Sequence, residues 1–423
     1  MASFSLFLLL CFSSVMCFVC NNICHAQSSS FVLPVTKDDE TLQYLTTLSY
    51  GTPFVPTKLV LDLGGPLLWV DCASTNTPSS SLLAIPHRSI QCLTAKSHDE
   101  TEPQTWLSNP VTDQDQPCQI LAENSITGKK AMEGELVEDL VALKSTEESK
   151  SSKIEPTHKV FFTCSPTLLF NGLASGARGM LGLGKSRRSF SSQIFYSFST
   201  QRKITLCLSS SSGFVLFGSM TYEPEILRSL TFTPLVTDQN KIHASQEYFI
   251  NVNSIKIGGK KVSFNQDGNG GTQLSSVVPY TTMQSSIYAN FESAYLKAAM
   301  SMNMTRVPSV APFGLCFSSH GIGSSQVGPN VPVIELVLQS EMVKWSIYGR
   351  NSMVRVSNEV VCLGFLDGGV NPRNPIVIGG YQLEDVLMQF DFDTSMLGFS
   401  SSLLMRHTSC SGFRIGSMPA QSL

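Results

Sequence analysis

Leu59-Val60-Leu61-Asp62-Leu63-Gly64-Gly65-Pro66-Leu67-Leu68-Trp69-Val70 carries a single carboxylate, Asp62, where an apolar strand runs into a Gly-Gly-Pro turn. The plan recurs along the chain. Gly179-Met180-Leu181-Gly182-Leu183-Gly184 lies 117 to 122 residues after Asp62. A second strand, through Gln273-Leu274-Ser275-Ser276, is followed about a hundred residues later by Ile376-Val377-Ile378-Gly379-Gly380. Each half therefore couples a strand entering a tight turn to an apolar-glycine strand, which implies two lobes of similar design. The expected division is 27–222 for the first lobe, 223–410 for the second and 411–423 for a tail, with the join near Gly218 to Pro234.

Around these anchors apolar and polar residues alternate, as in Tyr44-Leu45-Thr46-Thr47-Leu48, with breaks such as Gly51-Thr52-Pro53. A period of two punctuated by Gly and Pro predicts antiparallel strands. Helical spacing is rare. It is clearest from Gln284 to Met300, where Ile287, Phe291, Tyr295 and Ala298 share a stripe, and it recurs over Gln382 to Leu387. Two polar stretches, Pro86 to Pro117 and Lys144 to Lys153, read as surface excursions. The fold class is mostly β with few short helices.

Composition narrows the function classes. The 423 residues are 42% hydrophobic and 14% charged, which supplies a core and excludes a disordered, collagen-like or coiled-coil chain. The 29 basic residues against 32 acidic ones give a net charge of -3 with no basic stripe. Nucleic acid is thus not an expected partner, because phosphate binding needs clustered Lys and Arg.

Met1 to Ala26 contains no Lys, Arg, Asp or Glu and holds an apolar run through Phe7-Leu8-Leu9-Leu10, with small Cys24 and Ala26 before a polar Gln27-Ser28-Ser29-Ser30. It reads as a secretory signal peptide, 1–26, and the mature chain as having no membrane span. Cys11, Cys17, Cys20 and Cys24 leave with that segment, so eight of the twelve cysteines remain. An even number suits an oxidising compartment and disulfides. No two of these eight lie close enough for a CxxC ligand pair and the His are scattered singly, so no metal or cofactor is expected. Eight cysteines allow on the order of a hundred pairings, and spacing alone does not choose among them. Asn303-Met304-Thr305 is an N-glycosylation acceptor pattern.

Gly179-Met180-Leu181-Gly182-Leu183-Gly184-Lys185-Ser186 also satisfies GxxxxGK[ST]. A phosphate loop follows an apolar strand and keeps its own residues small or polar, so that backbone N–H groups wrap the phosphates. Here the apolar residues lie between the glycines, and the pattern is a decoy.

The Leu59–Val70 segment resembles the first active-site strand and turn of pepsin-like aspartic proteases. So do Met180-Leu181-Gly182-Leu183-Gly184, Tyr248 to Val262, and Ile376 to Gly380 through Phe390-Asp391 to Gly398-Phe399. The resemblance implies a bilobed, almost all-β body with a central inter-lobe cleft. In that family each lobe gives one Asp, and two carboxyls about 3 Å apart share a proton and activate water. Aligned on the second family turn, Gln273-Leu274-Ser275-Ser276-Val277 puts Ser275 where the acid belongs and Val277 where a glycine belongs. Asp62 then has no carboxyl partner, only a hydrogen bond to Ser275 at most, and the stretch Cys118 to Asn124 lacks the family's flap tyrosine. No catalytic residue is expected.

Within that fold the chain is similar to a catalytically silent plant branch: inhibitors of microbial xylanases and xyloglucan-specific endoglucanases, extracellular dermal glycoprotein and basic seven-S globulin. Phe31-Val32-Leu33-Pro34-Val35-Thr36-Lys37-Asp38, Leu68-Trp69-Val70-Asp71-Cys72, Ser309 to Gly314 and Gly379 to Asp385 carry the likeness. The branch usually has twelve mature cysteines, so four are absent here. The resemblance implies the pairs Cys72–Cys164, Cys207–Cys410, Cys316–Cys362 and Cys92–Cys118. It also implies a secreted monomer of the apoplast or cell wall whose partner is a microbial glycoside hydrolase, inhibited by Arg306 and Arg373. A guanidinium makes bidentate bonds to a carboxylate, and a retaining glycosidase holds two carboxyls about 5 to 5.5 Å apart. The rival readings are a divergent aspartic endopeptidase and a peptide-hormone-binding or storage globulin.

Overall fold

The computed structural model describes residues 30–73, 78–96, 116–146, 157–220, 226, 228–236, 246–262 and 271–413. The signal-peptide reading of 1–26, the centre of the Pro86–Pro117 excursion and the end of the tail lie outside these residues.

The strand Val55–Asp62 ends in four consecutive buried residues, as its unbroken apolar run requires. It forms a hairpin with Tyr44–Tyr50 in the register Leu45 to Val60. Its end is then gripped by Gly179–Gly182, which runs parallel to Val60–Asp62 and antiparallel to Leu68–Val70. The second half repeats the arrangement. Ile376–Ile378 runs parallel to Thr272–Leu274 and antiparallel to Thr281–Met283. The internal repeat seen in sequence is thus a repeat of topology: a strand in, a strand out, and a third between them.

Close approach explains the glycine spacing of the decoy motif. A Cβ on Gly182 would lie 2.3 Å from the Leu67 carbonyl oxygen and 2.7 Å from that of Gly65. Gly179–Gly182 is a fully buried strand, and a buried strand cannot wrap phosphates with its backbone.

The lobes are sewn together by strands. Lys203–Cys207 of the first half pairs antiparallel with Leu387–Asp391 of the second, which pairs in turn with Met396–Phe399. One apolar cluster runs through both halves, from Phe31, Leu61 and Phe217 to Phe291, Phe390 and Phe399. Fully burying such side chains contributes about 1.5 to 3 kcal/mol each. A buried polar tie crosses the same boundary: Lys37 Nζ lies 2.7 Å from Glu384 Oε1, and the Tyr44 hydroxyl donates to the same oxygen at 2.9 Å.

Ser285–Ser301 is the long helix foreseen by spacing, burying Ile287, Tyr288, Phe291, Tyr295 and Ala299. It stops at Asn303, whose φ is 59°. Asn303 N–H donates to Met300 O and Met304 N–H to Ala299 O, a helix stop built on a left-handed residue. The expected helix over Gln382 to Leu387 is not formed. A short helix, Gly380–Leu383, ends instead at extended Glu384, and a strand starts at Leu387. Local spacing lost to tertiary contacts here: Glu384 is drawn to Lys37, and Asp385 turns left-handed at φ 53° to accept from Cys410 N–H.

Candidate functional site

Asp62 ends its strand 4% exposed. Gly64 N–H donates to Oδ1 at 3.1 Å, and the Ser125 hydroxyl donates to Oδ2. Burial pushes its pKa up to about 6; the bonds from Ser125 and Gly64 pull it down, and neighbouring Glu247 adds like-charge repulsion. Ser125 belongs to the turn between the paired strands Gln119–Asn124 and Lys129–Ala142. Asn124 anchors that turn: its Nδ2 donates to Leu169 O at 2.7 Å and to Asn171 O at 3.1 Å, and its Oδ1 accepts from Ile126 N–H. The hairpin therefore rests on the carboxylate.

The second turn meets the first through Ser276. Its hydroxyl accepts from Leu63 N–H at 2.8 Å and donates to Leu61 O at 2.7 Å. The corresponding residue of the first turn is Leu63, an apolar side chain at 0% exposure, so the clasp works from one side only. Ser275 makes no hydrogen bond to Asp62, which the sequence allowed as the most it could do. Its hydroxyl accepts from Val277 N–H at 3.3 Å and Val278 N–H at 3.2 Å, folding back on its own turn as serine hydroxyls do. Val277 packs with the apolar group around Trp69 and Leu67.

Glu247 is the acidic neighbour that sequence reasoning missed. A Cβ on Gly64 would lie 3.1 Å from Glu247 Cγ, which places this side chain against the Asp62 turn. Its Oε1 lies 3.4 Å from Arg373 Nη1. Among the described residues no second carboxyl is hydrogen-bonded to Asp62. The arrangement is a buried acid held by a hydroxyl and an amide. It differs from a proton-sharing pair, which needs two carboxyls in contact.

Arg373 stands 67% exposed on the loop after Gly369. That loop is braced from below: Asn374 Nδ2 donates to Gln273 Oε1 at 2.6 Å, and Gln284 Nε2 donates to Val370 O at 3.0 Å. Gln273 lies in the strand that leads to Ser275, so Arg373 and the second turn share a support. Arg306 is exposed on a different sheet, paired with Phe317 in the short strand Arg306–Val307. Asn303 is exposed at the helix stop.

The disulfides are Cys72–Cys164, Cys92–Cys118, Cys207–Cys410 and Cys316–Cys362, the pairs that the resemblance implies. Among the described residues no group of three or more His, Cys, Asp and Glu could hold a metal ion. No described helix is long and apolar enough to cross a membrane.

Comparison with known proteins agrees with this geometry. The xylanase inhibitor N-terminal family model matches residues 44–219 and the xylanase inhibitor C-terminal model residues 247–401. A probable aspartic proteinase GIP2 of Nicotiana benthamiana is 43% identical over 414 residues, covering 92% of each chain. The crystal structure of edgp superposes with a TM-score of 0.81 at 42% identity, covering 92% of this chain and 98% of that one. Basic 7S globulin from soybean gives a TM-score of 0.75 at 32% identity, covering 91% and 99%. With both halves matched and the paired-turn topology present twice, the chain belongs to the xylanase-inhibitor family of pepsin-fold plant proteins.

Proposed function

We propose that this is a secreted, catalytically silent member of the family that binds and inhibits a microbial cell-wall-degrading glycoside hydrolase, a xylanase or xyloglucan-specific endoglucanase. The observation that carries the reading is the second turn. Ser275 stands where the pepsin pattern has its second acid, and its hydroxyl is spent on its own backbone. An alcohol has no useful pKa in the working range and cannot share a proton with Asp62. With hydrolysis removed, the braced and exposed Arg373 supports a binding role. Pro372 and the Asn374–Gln273 bond limit the loop's freedom, which lowers the ordering cost of association. Arg306 provides a second cationic contact.

Inhibition assays against a panel of microbial xylanases and xyloglucanases test this, with Arg373→Ala and Arg306→Ala in parallel. Hydrogen bonds to charged groups contribute about 1.5 to 3 kcal/mol, so each change is expected to weaken inhibition at least about tenfold. Absence of inhibition of every enzyme by the wild type defeats the proposal. One observation favours a second reading as a divergent peptidase: Glu247 against the Asp62 turn. Cleavage of an unfolded protein at acid pH, lost in both Asp62→Asn and Glu247→Gln, would establish that reading instead.

A further inference from the structure

A polar pocket of about 380 Å³ lies away from the Asp62 turn, where residues of both lobes and the C-terminal segment meet. Six serines contribute to its wall, at 209–211, 325, 409 and 411, together with Gln326, Arg350 and Asp385. The only sizeable apolar side chain in the wall is Leu404.

The frame is rigid. The Cys207–Cys410 disulfide joins the chain just before Ser209 to the segment bearing Ser409 and Ser411. Asp385 N–H donates to Leu208 O at 2.7 Å, and Leu403 N–H donates to Asp385 O at 2.8 Å. Gly328, in the short strand Gly328–Pro329 that pairs with Ser324–Ser325, is left-handed at φ 93°, and a Cβ there would lie 2.4 Å from Arg350 N, so this strand can approach Arg350 only with glycine at this place. The pocket is thus formed in advance of any ligand.

Arg350 and Asp385 feel each other's charge but form no ion pair among the described residues. The Arg350 guanidinium donates to one neutral hydroxyl, Ser210 Oγ, at 2.8 Å, and makes no ion pair among the described residues. Its remaining N–H groups are left for a ligand. Asp385 Oδ1 accepts from Cys410 N–H at 2.9 Å, while Oδ2 has no hydrogen bond within the described protein. The serines add hydroxyls that both donate and accept, and several are already ordered by neighbours: Ser209 donates to Ser212 O at 2.6 Å, and Ser409 lies 3.0 Å from Ser411.

An inorganic anion would welcome Arg350 but meet the Asp385 carboxylate. A free amino acid would satisfy both charges and leave the hydroxyl wall without partners. A neutral polyol satisfies all three: its hydroxyls donate to Asp385, accept from Arg350 and exchange bonds with the serines. We infer that this pocket is a binding site for a neutral saccharide unit, of mono- or disaccharide size. The volume lies at the small end of ligand pockets, about 300 to 1,000 Å³, and the wall offers no aromatic ring for a sugar face. The inference does not depend on the hydrolase-binding reading.

The test is saturation-transfer NMR and calorimetry on the full secreted chain with cellobiose and xylobiose, and with glycine and inorganic phosphate as competing probes. Saturable disaccharide binding is expected, weakened at least about tenfold by Arg350→Met and by Asp385→Asn, with no comparable binding of glycine or phosphate. Asparagine tolerates a left-handed φ and keeps an acceptor for Cys410 N–H. Exposed Arg350 provides an independent variant should Asp385→Asn fail to fold. The sign at Asp385 separates ligand classes, because an anion binds more tightly once that carboxylate is neutral. Phosphate binding that tightens in Asp385→Asn, tighter binding of glycine than of either sugar, disaccharide binding indifferent to Arg350→Met, or no disaccharide binding at all would each overturn the inference.

Discussion

Replacing Asp62 with asparagine keeps the shape of the side chain and removes its charge, so it isolates what that buried charge does to the fold. The folded protein raises this carboxyl from the usual 3.8 to about 6, chiefly by burial. The folded state therefore holds the proton more tightly than the unfolded state. Stability from this group is complete below pH 3.8 and is lost as pH rises towards about 6. At about 1.36 kcal/mol per pH unit, the gap between 3.8 and about 6 comes to about 3 kcal/mol. The assay is urea unfolding of the wild type and Asp62→Asn, disulfides intact, at a series of pH values from about 4 to 7. Burial also raises Asp385, and Lys203 together with Asp391's backbone bonds lowers Asp391. Both groups are present in each protein and cancel in the difference. From pH 4 to pH 7 the stability of the variant minus that of the wild type should rise by about 2.5 kcal/mol, because roughly 0.5 kcal/mol of the total is already lost at pH 4. Parallel stability curves would refute the reasoning, as would a wild type that gains on the variant with rising pH, since either means that Asp62 does not sit as an uncompensated buried charge.

Lys37→Met leaves the Glu384 carboxylate, 1% exposed, with the Tyr44 hydroxyl as its remaining side-chain donor; a loss of about 3 to 5 kcal/mol is expected, read as a fall in the urea midpoint and partly recovered by adding Glu384→Gln. Gly182→Ala forces a methyl to within 2.3 Å of the Leu67 carbonyl oxygen, so soluble yield should collapse where a surface control such as Ser301→Ala expresses normally. Asn303 is exposed with its hydroxyl residue two positions on, and the protein expressed through a secretory pathway should lose mass on enzymatic deglycosylation while Thr305→Ala does not.

The paired-turn topology was legible because its cause is local. A strand buried on both sides must be apolar throughout, and a strand that touches a neighbour's backbone must carry glycine, so Leu59–Asp62 and Gly179–Gly184 announce themselves without knowledge of their partners. The contacts that decide the chemistry join residues far apart in sequence. Ser125 reaches Asp62 across 63 positions, and Lys37 reaches Glu384 across 347. No periodicity encodes such pairs, and the failed helix over Gln382 to Leu387 is the same fault seen from the other side. Glu247 escaped notice because it directly precedes an ordinary buried strand, Tyr248–Ile250, and only folding brings it to the Asp62 turn.

The two serines of the second turn do different work. Ser276 holds Leu61 and Leu63, and hence the lobes, with one hydroxyl that both accepts and donates. Ser275 keeps its hydroxyl on its own turn, accepting from Val277 and Val278 N–H. Joining the turns therefore needs the hydroxyl and not the second carboxyl. A serine in this turn also spares the frame a buried carboxylate, which without a partner would itself be destabilising. Asp62 is the remnant that still carries that cost, offset by Ser125 and Gly64, and its raised pKa measures how incompletely. On the proposed reading, the exposed Arg373 on its strapped loop is the feature physically suited to holding another protein's charge.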